Sequence, residues 1–208
     1  MNISSKRSFY EALDSRGETA EERSAFDQLV REQCEQTGAV LITDLSGFTR
    51  TTREHGVIHF LSLFRKCQKI CVPIIERHGG ELMKDEADDL FALFSSPKDA
   101  ISAGLQMQRE IRTANLVAAA TDQIGLAIGI GYGPLLRFTD DAFGDAVNIA
   151  FKLGEDLASS GEIRVGTSAF ETAKSEGLDS SEYEVSELQS SKVSQADLPH
   201  FIMTLNPS

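Results

Sequence analysis

The sequence has no tryptophan, and only three cysteines and five prolines among its 208 residues. The cysteine number is odd and no CxxC pair occurs, which excludes a disulfide framework and a cysteine zinc site and favours core thiols. No apolar run approaches the roughly 20 residues of a membrane span, and the N-terminus lacks the apolar core of a signal peptide. We therefore expect a cytoplasmic protein with no membrane partner.

Positive charge is also scarce. The chain has 20 lysine and arginine residues against 32 acidic ones, for a formal net charge of −12. Such a surface repels nucleic acids and anionic membranes at long range, which argues against both as the main partner. A local basic pocket remains allowed.

Apolar spacing divides the chain into a short segment and one larger domain. Residues 1–37 are polar, with apolar positions at helical spacing, and predict an amphipathic helix closed by Gly38. Residues 38–208 form the predicted domain. Its first strand, AVLITDL, precedes a long helix from Phe60 to Ile75 in which Pro73 should cause a kink.

The elements that follow suggest a fold class. GGELMKDEADDLFALF predicts a hairpin around an acidic turn, and a second helix begins at Pro97. QIGLAIGIGYG predicts a strand, PLLRF a partner strand, and GDAVNIAFKLGEDLAS a third helix that ends near Gly161. The β-α-β-β-α-β order and the later strands predict an α+β, ferredoxin-like core, with an antiparallel sheet and helices on one face.

Carboxylates stand at two strand ends that this topology makes neighbours. Asp44 ends the apolar run LITDL, and Asp88 and Asp89 lie at the tip of the hairpin. Hard divalent cations prefer oxygen ligands and share them with phosphates, and a pair of such ions lies about 3.5–4 Å apart. The pattern therefore favours phosphoryl or nucleotidyl transfer, although an acidic run alone is usually a solvated turn.

Three stretches resemble, in order and spacing, the signatures of class III adenylate and guanylate cyclase catalytic domains. They are ITDLSGFT, GGELMKDEADDLFALF and DAFGDAVNIAFKLGEDLA, and the resemblance runs from about Ala39 to Leu205. It implies a class III cyclase-like fold, two Mg²⁺ or Mn²⁺ ions per site, and a nucleoside triphosphate as the substrate.

The resemblance also implies a role for individual residues around the first strand end. Asp44 and Asp88 match the metal-binding aspartates, and the carbonyl of Leu45 would complete one metal's ligand shell. The turn that follows would offer backbone N–H groups to the triphosphate, with Gly47 allowing close approach and the helix start at Thr49 favouring an anion. Phe48 would hold this turn by packing.

Lys84 and Asp141 match the base-selecting pair of the family. An ammonium group can donate to N1 of adenine and a carboxylate can accept from its N6 amine, whereas guanine presents the reverse pattern. The pair therefore predicts ATP over GTP. The plainer alternatives are that Lys84 balances its acidic neighbours and that Asp141 is a turn residue.

On the third helix, Asn148 matches the ribose-orienting asparagine, and Lys152 stands where the family usually has an arginine that stabilises charge on phosphorus. The i, i+4 spacing places both on one helix face. Lysine keeps the charge but loses the planar fork of arginine, so we expect slow turnover. Two further differences from the family also suggest a slow enzyme. Ala87 stands where the family commonly has glycine before the second metal aspartate. The family's lysine that binds the triphosphate from a late β-hairpin has only a weak match here, Lys192.

The leading hypothesis is an adenylate cyclase that converts ATP to 3′,5′-cyclic AMP and pyrophosphate. The general base stays open between Asp44 and a metal-held hydroxide. Because the family builds each site from two chains, a head-to-tail C₂ homodimer is implied. The alternatives are a degenerate cyclase fold that binds a nucleotide or partner without turnover, and, ranked last, a structural dimerisation module.

Overall fold

The computed structural model describes residues 3–85, 88–181, 183–193 and 196–206, except for the side chains of Thr49, Val193 and Ala196. The helices are α1 (Lys6–Leu13), α2 (Ala20–Cys34), α3 (Phe48–His55), α4 (Val57–Arg77), α5 (Pro97–Asn115), α6 (Asp145–Phe151) and α7 (Thr167–Ser175), with a 3₁₀ turn at Ala120–Asp122 and a π-helical segment at Lys152–Leu157. The strands are β1 (Glu35–Leu45), β2 (Glu81–Lys84), β3 (Leu90–Phe94), β4 (Leu126–Arg137), β5 (Ala142–Phe143), β6 (Ile163–Gly166), β7 (Tyr183–Val185), β8 (Gln189–Val193) and β9 (Ala196–Leu205).

The strands form one sheet in the order β2-β3-β1-β4-β6-β9-β7, with β5 paired to β4 and β8 to β9. The first four strands have the order of a ferredoxin-like fold. Strands β4 and β6 are parallel, and the other described pairs are antiparallel. The predicted α+β class, with a βαββαβ core and additional C-terminal strands, is therefore confirmed.

Helices cover both faces of this sheet. Helices α4, α5 and α7 pack on one face, against Leu41 and Ile128 among others. Helix α6 packs on the other face, where Ala146 and Ala150 meet alternate residues of β1 such as Ile42. The expectation of helices on one face thus holds for α4, α5 and α7 and needs correction for α6, because apolar side chains point to both faces of β1.

Glycines in β4 allow α6 to lie directly on the sheet. A Cβ atom at Gly129 would collide with the carbonyl oxygen of Ala150 and the backbone nitrogen of Gly154. One at Gly131 would collide with the carbonyl oxygen of Ala146. The alternating glycines of GLAIGIGYG therefore allow the α6 backbone to pack closely against the strand; they do not mark a bend in it.

We expect Gly129→Ala to destabilise the protein by about 3 kcal/mol, because the backbone of α6 must move to admit the methyl group. Gly104→Ala is the matched control, since the added Cβ on buried α5 would lie 3.4 Å from its nearest neighbour. That control should be neutral or stabilising because alanine favours a helix. Urea unfolding measures the change in the free energy of unfolding for both variants. Equal changes would contradict the proposed close packing of α6 on Gly129.

Several element boundaries differ from the sequence-based expectations. Helix α2 ends at Cys34 and β1 starts at the next residue, so Gly38 lies within the strand, paired with Gly133, and does not close the helix. The predicted strands QIGLAIGIGYG and PLLRF are one strand, since β4 continues through Pro134. Proline is tolerated here because, on the side of β4 away from β1, the described ladders pair only Ile128–Ile130 with β6 and Leu136 and Arg137 with β5, and Pro134 lies between them.

Other expectations hold. Helix α4 includes the predicted Phe60 to Ile75 stretch and continues through Pro73. The β2–β3 hairpin and the helix from Pro97 are present. The three cysteines are buried free thiols. Among the described residues, none of the helices combines the length and apolar character needed to cross a bilayer.

Helices α1 and α2 pack on the end of β4 that lies near β5. Ile3, Ala12, Val30 and Cys34 form a small apolar core with Phe138. The predicted division between residues 1–37 and 38–208 falls within β1, and it stays a prediction about folding units.

Candidate active site at the ends of β1 and the β2–β3 hairpin

The register of β1 and β3 brings Asp44 beside the acidic turn. Thr43 pairs with Leu90, and the Leu90 amide donates to Thr43 Oγ1 at 3.0 Å. The next residues outward on the two strands are Asp44 and Asp89. The predicted neighbourhood of Asp44 and the hairpin acids is thus present.

The carboxylates of Asp44 and Asp88 lie close enough for their charges to repel. Burial raises the pKa of Asp44, and the charge of Asp88 raises it further. An opposite charge nearby would have lowered it. Asp44 and Asp88, the two predicted metal aspartates, therefore lie in one negatively charged region.

Two further carboxylates join this region. Burial, together with Glu155, Asp88 and Asp44, raises the pKa of Asp89 to about 8. Asp89 Oδ1 is a buried atom with no hydrogen-bond partner among the residues that the structure describes. Burial and Asp44 also raise the pKa of Glu155, which lies in the π-helical segment.

Sequence reasoning noted Asp89 only as part of the acidic tip and missed Glu155. The sequence feature that could have indicated Glu155 as a site residue is its position on the third predicted helix, three residues after Lys152. An α-helical reading could not show that a π-helical segment would begin at Lys152.

The oxygen ligands at this strand end suit a hard cation that also binds oxygen atoms of a substrate. Within the described ranges, no three acidic, histidine or cysteine side chains are arranged to hold a metal by themselves. The interacting carboxylates of Asp44 and Asp88, the Leu45 carbonyl and phosphate oxygens are nevertheless the ligand types that Mg²⁺ and Mn²⁺ take. The residues present therefore fit the implied ions, with substrate oxygens as the remaining ligands.

The raised pKa values make stability depend on pH. An acid with a raised folded-state pKa costs no stability below its unfolded pKa of about 4, and the cost grows as pH rises toward the folded value. We expect Asp89→Asn to stabilise the metal-free protein at pH 8.5 by on the order of 1–2 kcal/mol, after allowance for solvent screening, with little effect at pH 4.

Urea unfolding in the presence of a chelator at both pH values measures this difference. Glu187→Gln, at an exposed site after β7, is the control and should change neither value. A stabilisation of Asp89→Asn that is equal at pH 4 and pH 8.5 would contradict the electrostatic origin.

The turn after β1 has the backbone expected of an anion site. Gly47 has φ +93°, in the left-handed region, and occupies the N-cap position of α3. It has no side chain to cap the first amides of the helix. Helix α3 starts at Phe48, one residue before the expected start at Thr49, whose side chain is outside the described residues.

Phe48 has the packing contact that was expected of it. Its ring lies edge-on to the buried Phe60 ring, with 4.6 Å between centroids, while the side chain remains 41% exposed. Leu45 is buried and pairs with Leu126 of β4. The turn is therefore held between α4 and the sheet.

Lys84 and Asp141 are in direct contact. Lys84 Nζ lies 2.7 Å from Asp141 Oδ2, and Asp141 is 3% exposed. The Asp141 Oδ1 atom accepts from the Ala142 amide at 2.9 Å. Burial alone would raise the pKa of Asp141, but hydrogen bonds from Lys6 and Lys84 lower it below its usual value. Sequence reasoning found this pair but missed Lys6.

Asn148 and Lys152 lie on one helical turn, as the spacing predicted. The Lys152 amide donates to the Asn148 carbonyl, so the backbone is α-helical between them. Asn148 is exposed, and Lys152 Nζ lies 3.7 Å from Asp156. The predicted third helix is shorter than expected, because α6 gives way to the π-helical segment Lys152–Leu157.

The structure describes only one of the other two positions at which the sequence differs from the cyclase family. Lys192 is an exposed residue of the late β8–β9 hairpin, opposite Asp197. Its location is that of a late hairpin lysine, and its role stays a prediction. Ala87 lies outside the described residues.

The chain is similar over part of its length to proteins from two bacteria. A stretch of 128 residues is 27% identical to the putative adenylate cyclase 3 of Rhizobium meliloti, and covers 61% of this chain and 22% of that protein. Another match of 128 residues is 25% identical to the serine/threonine-protein kinase pkn2 of Myxococcus xanthus, and covers 62% of this chain and 15% of that protein. The chain thus spans less than a quarter of either relative. No protein-family model matches it.

Solved structures are similar over most of the chain. The guanylyl cyclase Cya2 superposes with a TM-score of 0.67 at 19% identity, covering 82% of this chain and 92% of that one. An adenylate/guanylate cyclase/hydrolase from Silicibacter pomeroyi superposes with a TM-score of 0.67 at 24% identity, covering 83% and 99%. The chain has the fold of a class III nucleotidyl cyclase catalytic domain.

A bacterial light-regulated adenylyl cyclase shares this cyclase fold, with a TM-score of 0.66 at 19% identity over 83% of this chain and 91% of that one. The structures of this fold therefore include proteins named for either base. The choice between ATP and GTP has to be argued from the residues of the site.

Proposed function

We propose that this chain is an adenylate cyclase domain that converts ATP to 3′,5′-cyclic AMP and pyrophosphate. The observation that carries the proposal is the contact between Lys84 and the buried Asp141, on a cyclase fold that also groups Asp44 with Asp88. The pair of Lys84 and Asp141 suits an adenine base, and the pair of Asp44 and Asp88 suits a metal-bound triphosphate.

Base choice follows from hydrogen-bond chemistry. Asp141 has a lowered pKa and is an ionised acceptor at neutral pH, which suits the N6 amine of adenine. Lys84, a donor, suits N1. Guanine would place its O6 acceptor against the carboxylate and its N1–H donor against the ammonium group, leaving buried polar groups without partners.

The triphosphate would lie between β1 and α3. Asp44, Asp88 and the Leu45 carbonyl would hold Mg²⁺ or Mn²⁺, and two such ions per site would supply positive charge against the phosphate oxygens. The Gly47 turn, next to the same strand end, leaves the first amides of α3 without a side-chain cap, where an anion would be favoured.

The reaction is an intramolecular displacement at phosphorus. The ribose 3′-oxygen loses its proton and forms a bond to the α-phosphorus, while the bond from that phosphorus to the bridging oxygen breaks and pyrophosphate leaves. Asn148 would orient the ribose, and Lys152 would stabilise charge on the α-phosphate. The Lys152 ammonium group acts as a point charge, so we expect a lower rate than an arginine would give.

A head-to-tail C₂ homodimer is the assembly we assign. One chain would contribute Asp44 and Asp88 to a site, and its partner would contribute the base-selecting and α6 residues. Each chain carries both sets, so a symmetric pair would form two equivalent sites. We assign the reaction to the cytoplasm.

Product formation tests the reaction. We expect the wild-type protein to form cyclic AMP from ATP in Mg²⁺ or Mn²⁺, in preference to cyclic GMP from GTP, by chromatographic assay. Asp44→Asn should lower the rate about 10²–10³-fold because a charged metal ligand is lost. Glu110→Gln, at an exposed site on α5, is the control and should match the wild type.

Complementation tests the shared site. Asp44→Asn and Lys84→Met chains should each be inactive alone. Mixed in equal amounts they should recover about one quarter of the wild-type rate, because half of the dimers are mixed and one of their two sites is intact. A mixture no more active than its separate components would contradict the shared site.

A nucleotide-binding protein without turnover is the second candidate. The observation that favours it is the ion pair of Lys152 with Asp156, which holds the ammonium group on its own helix. This candidate predicts that ATP binds but that no cyclic nucleotide forms at any protein concentration.

A further inference from the structure

The N-terminal helix reaches the base-selecting pair. Lys6 Nζ lies 2.7 Å from Asp141 Oδ2, the same oxygen that Lys84 contacts. The backbone amide of Lys6 donates to Asp140 Oδ1 at 2.7 Å. The first residue of α1 therefore holds both acids of the loop between β4 and β5.

The segment that carries Lys6 is anchored on both sides. Ser5 caps α1 through a capping box, and the Thr139 amide donates to the Ser4 carbonyl at 2.9 Å. The Phe9 ring stacks on Phe138 with 4.9 Å between centroids. The Ile3 amide also donates to Gln33 Oε1 of α2 at 3.1 Å. Lys6 is thus held in place by α1, α2 and the β4–β5 loop together.

The single carboxylate of Asp141 is paired with two ammonium groups, those of Lys6 and Lys84. Asp141 is 3% exposed, and two ammonium groups share its Oδ2 atom. When Lys84 turns to a base, it leaves this oxygen. A buried carboxylate without a counter-ion would then favour its protonated form.

We propose that Lys6 is a positioning residue for base selection: it keeps Asp141 ionised and oriented as an acceptor while Lys84 binds the base. The inference rests on the proposed function, and it makes the N-terminal helix part of the nucleotide site. A protonated Asp141 could donate to guanine O6, so the ionised state is what separates adenine from guanine. Lys6 contributes to selectivity without touching the base.

The test compares the binding of 3′-deoxy-ATP and 3′-deoxy-GTP by calorimetry in the presence of Mg²⁺. These analogues lack the attacking hydroxyl group, so binding is measured without turnover. We expect the wild type to prefer the adenine analogue and Lys6→Met to reduce that preference about tenfold, corresponding to the loss of one charge-assisted contact. Lys6→Arg should retain the preference because it retains the charge.

The neighbouring Arg7 offers a matched control. It lies on the same helix and pairs with Glu11 at the surface, where its side chain is 88% exposed. Arg7→Met removes the same charge from the chain and should bind both analogues as the wild type does. Lys6→Gln, which keeps a hydrogen-bond donor but no charge, should behave like Lys6→Met and serves if that variant does not fold.

Each result bears on the inference. An unchanged preference in Lys6→Met and Lys6→Gln, with tight binding of the adenine analogue, would overturn the role of Lys6 and leave the proposed function intact. Tighter adenine binding in these variants would overturn it as well, since Lys6 would then compete with the base. Wild-type protein that binds neither analogue would overturn the proposed function, and the inference with it.

Discussion

The close contact between α6 and the glycines of β4 positions the helical part of the candidate site. Side chains at positions 129 and 131 would push the helix away from the sheet, because the carbonyl oxygens of Ala146 and Ala150 lie directly over these glycines. Helix α6 carries Asn148 and is followed by Lys152 and Glu155. The height of these groups above the sheet is therefore set by the absence of two β-carbons.

The two parts of the site have opposite charge balance. At the strand end, burial and neighbouring carboxylates, the charge of Asp88 among them, raise the pKa values of Asp44, Asp89 and Glu155. At the base-selecting pair, Asp141 is buried beneath two ammonium groups. Under the proposed function, a bound cation would relieve the first arrangement. In the second, the carboxylate is already paired, so under the proposed function a base would have to displace an existing ion pair.

Much of the fold could be predicted from the sequence, because the relevant patterns are local. The apolar face of α4, the hairpin acids and the first-turn Pro97 each indicate their element without tertiary information. The neighbourhood of Asp44 and Asp88, and that of Lys84 and Asp141, followed from motif order. Lys6 and Glu155 could not be found in this way. Lys6 is separated from Asp141 by 135 residues, and Glu155 depends on a change of helix type.

The junction between α2 and β1 has a mechanical consequence. Cys34 ends the helix and Glu35 begins the strand, and the Glu35 amide still donates to the Arg31 carbonyl of α2. No linking residue separates the helix from the strand, so a displacement of α2 would act directly on β1. That strand extends for 11 residues and carries Asp44 next to its end. The amphipathic helix α2 is thus joined directly to the strand whose far end carries Asp44.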